Sequence, residues 1–394
     1  MKTVVKFLQF DYMRSSRDKR EVSVLLEMGA NVIILEAGEI QESKMLSNRC
    51  EYRIQKILPL SSRQNRLIRK ARILKNWTML ARVLRGLDAD ILSCHDLTAL
   101  FIGWRSTWFM PKTKRPKLVY DAHEFEVGRN TEAKRGWLKK WLIPRTERFL
   151  MKRCAFSIMV NDSIADMVQE AYQCKERPIV VRSTPPYWEI DEHVCNAQRQ
   201  LYCEQMGTCD KDLQIMYFGE VRKGRGLETL LKVIKNTANC SLIIMGYGES
   251  NYIEQLKEQA IELNVANRVL YQASVPADKI WQYAGAVDIS MVTIPATCPS
   301  YYYMLPNKFF ESIQSLTPII ASDFPEVGRI VREYDIGLLV NPDKLEDIVA
   351  AIERLRTDKE LYERFKKNLK AAKENLCWEN EKKVLVEAYN AALF

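Results

Sequence analysis

The most chemically suggestive run in this chain is Tyr303-Met304-Leu305-Pro306-Asn307-Lys308-Phe309-Phe310-Glu311. Pro306 suits the first turn of a helix, where a missing backbone N–H costs nothing. The free amides of that turn, together with the helix dipole, attract phosphate oxygens. Glu311 follows Asn307 by about one helical turn, where a carboxylate can hold two neighbouring ribose hydroxyls, and Phe309 and Phe310 can pack inward. The same spacing also suits an ordinary amphipathic helix with one solvated glutamate.

A second run, Tyr217-Phe218-Gly219-Glu220-Val221-Arg222-Lys223-Gly224-Arg225-Gly226, follows a strand and opens a helix. Its glycines allow a close backbone approach, and Arg222, Lys223 and Arg225 bring three cations to a helix N-terminus, a chemistry that fits a pyrophosphate. The P-loop spacing is absent, which disfavours magnesium-dependent nucleotide hydrolysis. A basic surface turn is the plainer reading. Met245-Gly246-Tyr247-Gly248-Glu249 also ends a strand and reads equally as a tight strand-to-helix turn.

Two of the three histidines, His95 and His123, end strands in Ser93-Cys94-His95-Asp96 and Tyr120-Asp121-Ala122-His123-Glu124. Either can hydrogen-bond an anion or a sugar hydroxyl, or stand as a satisfied loop residue. No second histidine lies at metal-ligand spacing, so no metal site is expected. The ten cysteines have neither zinc nor CxxC spacing and read as reduced thiols of a cytosolic protein.

These residues need a scaffold, and 394 residues with 47% apolar content can build two or three cores. Strand-like runs at Val4–Phe10, Val32–Leu35, Ile91–Cys94, Leu118–Asp121, Ser157–Val160 and Ile179–Arg182 alternate with helical spacing. The periodicity lapses over Ser183–Gly207, read as a linker. It restarts with strands at Ile215–Phe218, Leu242–Met245, Val269–Gln272, Asp288–Val292, Pro318–Ser322 and Gly337–Val340. The helices of this second half include Leu227–Thr237 and Asn307–Gln314, and a helical tail follows. The expectation is an α/β protein of two Rossmann-like, doubly wound domains, residues 1–200 and 208–375, with a C-terminal helix over about 376–394 packing back on the first. Ligands of such sheets bind outside the strand carboxyl ends, which places the expected site in the central cleft the two domains face.

Charge divides the chain unevenly. Residues 1–200 carry 36 Lys and Arg against 23 Asp and Glu, while residues 201–394 carry 23 against 27. The segments Ser61–Gly86 and Thr131–Arg153 concentrate cations between Leu67, Ile68, Leu74, Trp77, Trp137 and Trp141. Basic helices with Trp and Leu on an apolar face match binding to an anionic membrane surface, although solvated helices on a sheet have a similar pattern. The aromatic-and-basic motif of an RNA-recognition module and the spacing of a zinc finger are both missing, so no nucleic-acid partner is expected. The N-terminal apolar run is too short for a signal peptide, and no stretch reaches the roughly 18 apolar residues of a membrane span.

Taken together, the motifs resemble those of the retaining glycosyltransferases of family 4, over nearly the whole chain. The first loop and helix, Ser16-Arg17-Asp18-Lys19-Arg20-Glu21 running to Val32, look like the family's acceptor-side segment. Val119-Tyr120-Asp121-Ala122-His123-Glu124 is similar to its histidine motif. Gly219–Gly226 is similar to its pyrophosphate turn, and Leu305–Glu311 with Thr317–Ser322 to a variant of its donor-site helix. Departures are Tyr303 where the first of two glutamates usually stands, Glu220 where an arginine is frequent, and the absence of a glycine pair from the first loop.

The resemblance implies a GT-B fold and transfer of a hexose-type sugar, with retained configuration, from a nucleotide diphosphate sugar to a lipid-linked or cell-surface glycan acceptor in polysaccharide biosynthesis. His123, Arg225 and Lys223 are then the expected catalytic residues. Gly219, Gly246, Leu305, Pro306, Asn307, Lys308 and Glu311 would bind the donor, with Arg17, Arg20 and His95 on the acceptor side. The nucleotide sugar is a co-substrate, and neither cofactor nor metal is expected. The implied location is cytoplasmic, peripheral on the inner face of the cell membrane. A nucleotide-sugar epimerase of the same architecture and a catalytically silent binding subunit are the alternatives.

Overall fold

In both halves of the chain, short β-branched runs form parallel strands and the segments between them fold as covering helices. The computed structural model describes residues 1–61, 65–122, 128, 136–207 and 212–393. They divide into two units, Met1–Arg182 with Lys382–Phe394, and Ser183–Glu381.

The first unit contains β1 (Thr3–Leu8), β2 (Asn31–Gly38), β3 (Glu42–Ser47), β4 (Cys50–Lys56), β5 (Ile91–His95), β6 (Lys117–Asp121), β7 (Cys154–Met159) and β8 (Ile179–Val180). They form one sheet in the order β3-β4-β2-β1-β5-β6-β7-β8. All neighbouring strands run parallel except β3 against β4. Val4 pairs with Val32 on one side and Ile91 on the other, and Val4, Val5, Phe7 and Leu8 are buried, as expected for a strand covered on both faces. The helices are α1 (Ser16–Glu27), α2 (Arg66–Gly86), α3 (Asp96–Ser106), α4 (Trp137–Met151) and α5 (Asp162–Tyr172). Ser15 caps α1 by accepting from the Asp18 amide, and Asn161 caps α5 through the Ile164 amide. The β3–β4 hairpin escapes the periodicity argument because β3 is polar and exposed, a composition that blunts a sheet edge.

In the second unit the elements are α6 (Glu192–Met206), β9 (Leu213–Phe218), α7 (Leu227–Asn236), β10 (Cys240–Gly246), α8 (Ser250–Glu262), β11 (Val269–Ala273), α9 (Ile280–Ala284) and β12 (Ile289–Val292). They continue with α10 (Pro299–Tyr302), α11 (Asn307–Gln314), β13 (Ile319–Ser322), α12 (Pro325–Tyr334), β14 (Gly337–Val340), α13 (Leu345–Thr357) and α14 (Lys359–Asn375). The all-parallel sheet has the order β11-β10-β9-β12-β13-β14. The chain builds outward from β9 to β11, then returns to the other side of β9 with β12. That reversal makes the carboxyl ends of β9 and β12 the topological switch point, where open α/β sheets bind ligands.

The expected linker over 183–207 is corrected by α6, which places the start of the second unit at Ser183. Asp191 caps this helix by accepting from the amides of His193 and Val194, and Gly207 ends it at φ +63°. Tyr202 packs beneath Phe218 and Met245. With three apolar residues buried among glutamines and glutamates, α6 carries too little periodicity to read as a helix in isolation. The last helix, α15 (Trp378–Leu393), leaves the second unit at Glu381. From Lys382 on it packs in the first unit, with Tyr389 fully buried beside Phe156 and Lys117 donating to the Ala392 carbonyl at 2.6 Å.

Candidate active site

At the switch point of the second unit two glycines bring backbones together. The Gly219 amide donates to Met245 O at 2.9 Å. A Cβ on Gly246 would lie 1.8 Å from the Gly219 carbonyl oxygen, so the loops after β9 and β10 can meet only through glycine. Gly219 itself adopts φ +120°, a region L side chains avoid. Gly226, at φ +79°, starts α7, and a Cβ there would meet Thr293 O at 2.8 Å. The loop Gly219–Gly226 is thereby pinned between the carboxyl ends of β9 and β12.

Opposite it, α11 begins after Pro306, whose side chain makes no cap hydrogen bond to the first turn. Its leading amides and dipole are therefore available to an anion. Phe309, Phe310 and Ile313 are completely buried and fix the helix, while Gln314 donates to the carbonyls of Lys373 and Leu376 on the α14 side. Between loop and helix lies a cavity of about 320 Å³. Gly219, Arg225, Gly246, Pro306, Asn307, Lys308 and Glu311 are among its lining residues.

Charge in this cavity is arranged unequally. Glu220 pairs with both Arg222, at 2.7 Å, and Arg225, at 3.2 Å. Arg222 also donates to the Tyr301 hydroxyl, and the Arg225 guanidinium sits 5.1 Å from the centre of the Tyr301 ring. Lys308 differs from them. Its amine is buried, has no hydrogen-bond partner among the described residues, and lies 3.5 Å from the centre of the Tyr217 ring. Burial, reinforced by the Arg225 charge, holds that amine well below the usual lysine range against the opposite pull of Glu311 and Glu220.

The first unit holds a separate buried cluster. Lys6 on β1 bonds to Glu21 and lies 3.6 Å from Asp18. Arg17 donates to Glu21 and Asp121 at 3.0 Å each and to the Val181 carbonyl at 2.9 Å. His95 Nδ1 lies 3.0 Å from Asp18 and 3.4 Å from Asp121. Ligand atoms of Asp18, Glu21, His95 and Asp121 all fall within 4.8 Å of one another, yet Lys6 and Arg17 already balance two of the three carboxylates. Burial and the neighbouring Asp121 raise the Glu21 carboxyl.

Residues 24–184 match the model of Glycosyltransferase Family 4, and residues 199–372 match that of Glycosyl transferases group 1. Together the two models identify a glycosyltransferase of the family-4 type. An uncharacterised glycosyltransferase of Methanocaldococcus jannaschii is 23% identical over 78% of this chain and 77% of its own length. Among solved structures, the sucrose-phosphate synthase of Thermosynechococcus elongatus superposes with a TM-score of 0.76 at 13% identity, covering 100% of this chain and 99% of the other. The Anabaena protein HepE, in complex with UDP, reaches 0.72 at 14% identity, covering 99% and 100%. The fold of this glycosyltransferase is GT-B, each unit a Rossmann-like parallel sheet.

Within the glycosyltransferase, the donor-side residues expected from the sequence gather at one cavity, with two exceptions. Leu305 is buried in the apolar cluster with Phe309 and Val292 and supplies packing instead of a lining surface. Lys223 is solvent-exposed and outside the lining, since the turn between Gly219 and Gly226 directs Arg225 inward instead. The acceptor-side reading of Arg17 and His95 is also corrected. Both are spent on the buried cluster, Arg17 with 6% of its surface exposed and His95 with none. Arg20, on the same helix, is half-buried. His123 lies outside the described residues. Sequence reasoning missed the roles of Lys6, Asp18, Glu21 and Asp121. The available signal was a lysine in the middle of an apolar strand, which demands a buried counter-charge.

Proposed function

We propose that this glycosyltransferase takes a hexose-type sugar from a nucleotide diphosphate sugar and transfers it, with retained configuration, to a lipid-linked or cell-surface glycan acceptor. The observation that carries this reading is the convergence of Arg225, Lys308 and the open first turn of α11 on one cavity that also presents Glu311. Cations and amides so placed stabilise the charge that develops on a departing diphosphate, the term that dominates group transfer. Glu311, which lines the same cavity, would accept hydrogen bonds from the ribose hydroxyls. The Anabaena relative with UDP bound supports a nucleotide diphosphate as the handle.

In this mechanism protein cations perform the neutralisation that a metal ion performs elsewhere, so turnover proceeds without one. The departing phosphate accepts the acceptor hydroxyl's proton on the face from which it leaves, which requires no carboxylate nucleophile. Incubating the protein with a panel of nucleotide sugars tests the assignment. Slow release of nucleoside diphosphate supports transfer, sugar epimerisation supports the epimerase alternative, and binding without turnover supports a silent subunit. The anomeric configuration of the product, read by NMR coupling constants, tests retention.

The acceptor side motivates a peripheral place on the cytoplasmic face of the membrane. Trp137 is 79% exposed, Trp141 and Leu142 are exposed beside it on α4, and Arg145 stacks 4.0 Å from the Trp141 ring centre. On α2, Leu67, Ile68 and Leu74 are exposed between cations, and buried residues begin only at Asn76. Such faces suit an anionic leaflet at roughly 1 kcal/mol per basic residue. No described helix is long and apolar enough to cross a membrane.

A further inference from the structure

Lys308 is not explained by the need for a positive charge alone, because the loop after β9, which carries Arg222 and Arg225, already brings Arg225 into the same cavity. Those two guanidinium groups share one carboxylate, Glu220, and their charge is permanent. Lys308 Nζ is the cavity's one titratable nitrogen that is buried and lacks a hydrogen-bond partner among the described residues. Its neighbours are the Tyr217 ring face, and Gly219, where a Cβ would stand 3.5 Å from Nζ. An ammonium in such a place loses its hydration without receiving an acceptor in exchange, which costs several kcal/mol and is relieved by shedding the proton.

We propose that Lys308 rests as a neutral amine and becomes the ammonium that grips the donor's diphosphate, so that donor binding takes up one proton from solvent and product release returns it. This inference rests on the donor-site reading given above and deepens it. The chemistry follows from the groups that face the amine. From the loop after β9, Arg225 repels the charged form and Glu220 favours it. From its own helix Glu311 favours it, and from β9 only the Tyr217 phenol is presented, itself driven up by burial. A diphosphate entering the cavity adds two or more negative charges within reach of Nζ and reverses the balance. The proton moves from solvent to nitrogen, and no covalent bond changes.

The proposal also gives Glu220 a purpose. At this position an arginine would add a third permanent cation to the loop, whereas Glu220 pairs the two that are present. Affinity for the diphosphate is then tuned by pH at one nitrogen. By linkage, a group that gains its proton on binding makes affinity fall as pH rises, by up to about tenfold per pH unit between its free and bound pKa values.

The test is isothermal titration of the full chain with UDP, GDP, ADP and dTDP at about pH 8, where the nucleotides themselves are fully ionised. Each titration is run in Hepes and in Tris, whose ionisation enthalpies differ. The expected result is a net uptake of protons for whichever nucleotide binds, with affinity falling as pH rises. Lys308→Met, similar in shape and neutral, should fold with an unchanged or higher Tm, bind at least tenfold more weakly at neutral pH, and lose both the buffer dependence and the pH slope. Binding with no proton uptake overturns the inference and leaves the donor site standing. Uptake that persists in Lys308→Met overturns it as well, by locating the proton elsewhere. Failure of all four nucleotides to bind overturns the donor-site reading and this inference with it.

Discussion

The meeting of the two glycine backbones at Gly219 and Gly246 is the feature on which the candidate site depends most directly, and Gly246→Ala isolates it. The added Cβ would stand 1.8 Å from Gly219 O and 2.9 Å from Gly219 C. A carbon and a carbonyl oxygen tolerate an approach of about 3.3 Å, so one strand end must retreat by roughly 1.5 Å. No flexible side chain can yield, because both partners are backbone. The register pairs Met245 with Phe218, and the Gly219 amide is committed to Met245 O. Overpacking of this kind costs about 1–3 kcal/mol, and a backbone-on-backbone clash belongs at the top of that range. For a unit of this size about 3 kcal/mol lowers Tm by roughly 6–12 °C. The same displacement opens the cavity wall carrying Gly219 and weakens nucleotide binding. Gly86→Ala is the control, since its Cβ would meet nothing within 4 Å at the end of α2, and it should shift stability by less than about 1 kcal/mol. Calorimetric unfolding paired with nucleoside diphosphate titration measures both effects. A Gly246→Ala protein with parental Tm and parental nucleotide affinity would refute the reasoning.

Other consequences are open to simple measurement. Arg225→Ala should lower kcat/KM for the donor by about a hundredfold or more, in line with losing one pre-aimed charge, while Lys223→Ala stays within about threefold because its amine is in solvent; equal losses would contradict the assignment of Arg225. Glu311→Ala should raise the donor KM chiefly, and unchanged steady-state kinetics would remove Glu311 from the site. Lys6→Met leaves three buried carboxylates with Arg17 and His95 alone, so it should cost about 3–5 kcal/mol, with part regained in Lys6→Met/Glu21→Gln; chemical denaturation followed by circular dichroism reads both. Trp137→Ser/Trp141→Ser should reduce co-sedimentation with anionic liposomes at low salt, and parental binding would place the membrane contact elsewhere.

How much of this was legible in the chain depended on whether the signal was local. The helix over Asn307–Gln314 coincides with the reading from spacing, because Pro306 marks its start and Phe309, Phe310 and Ile313 repeat on one face. The strands of both sheets were legible for the same reason, as buried parallel strands are continuous apolar runs. The β3–β4 hairpin and α6 were not, since an exposed edge strand and a helix with three buried apolar residues carry little periodicity. Lys223 and Arg225 are two residues apart and chemically alike, and only the turn pinned by Gly219 and Gly226 separates one in solvent from one in the cavity.

From the linear chain alone followed two Rossmann-like sheets, the glycine-rich turn, the phosphate-ready start of α11 and the family they resemble, because each is written in the types and spacing of neighbouring residues. Tertiary structure alone decided that Arg17 and His95 serve a buried cluster with Lys6, Asp18, Glu21 and Asp121, drawn from three strands and a helix. It also decided that Lys308 carries a buried amine with no hydrogen-bond partner among the described residues. Both are matters of solvation and of charges far apart in sequence, and a side chain's partners and its access to water exist only once the chain has folded around it.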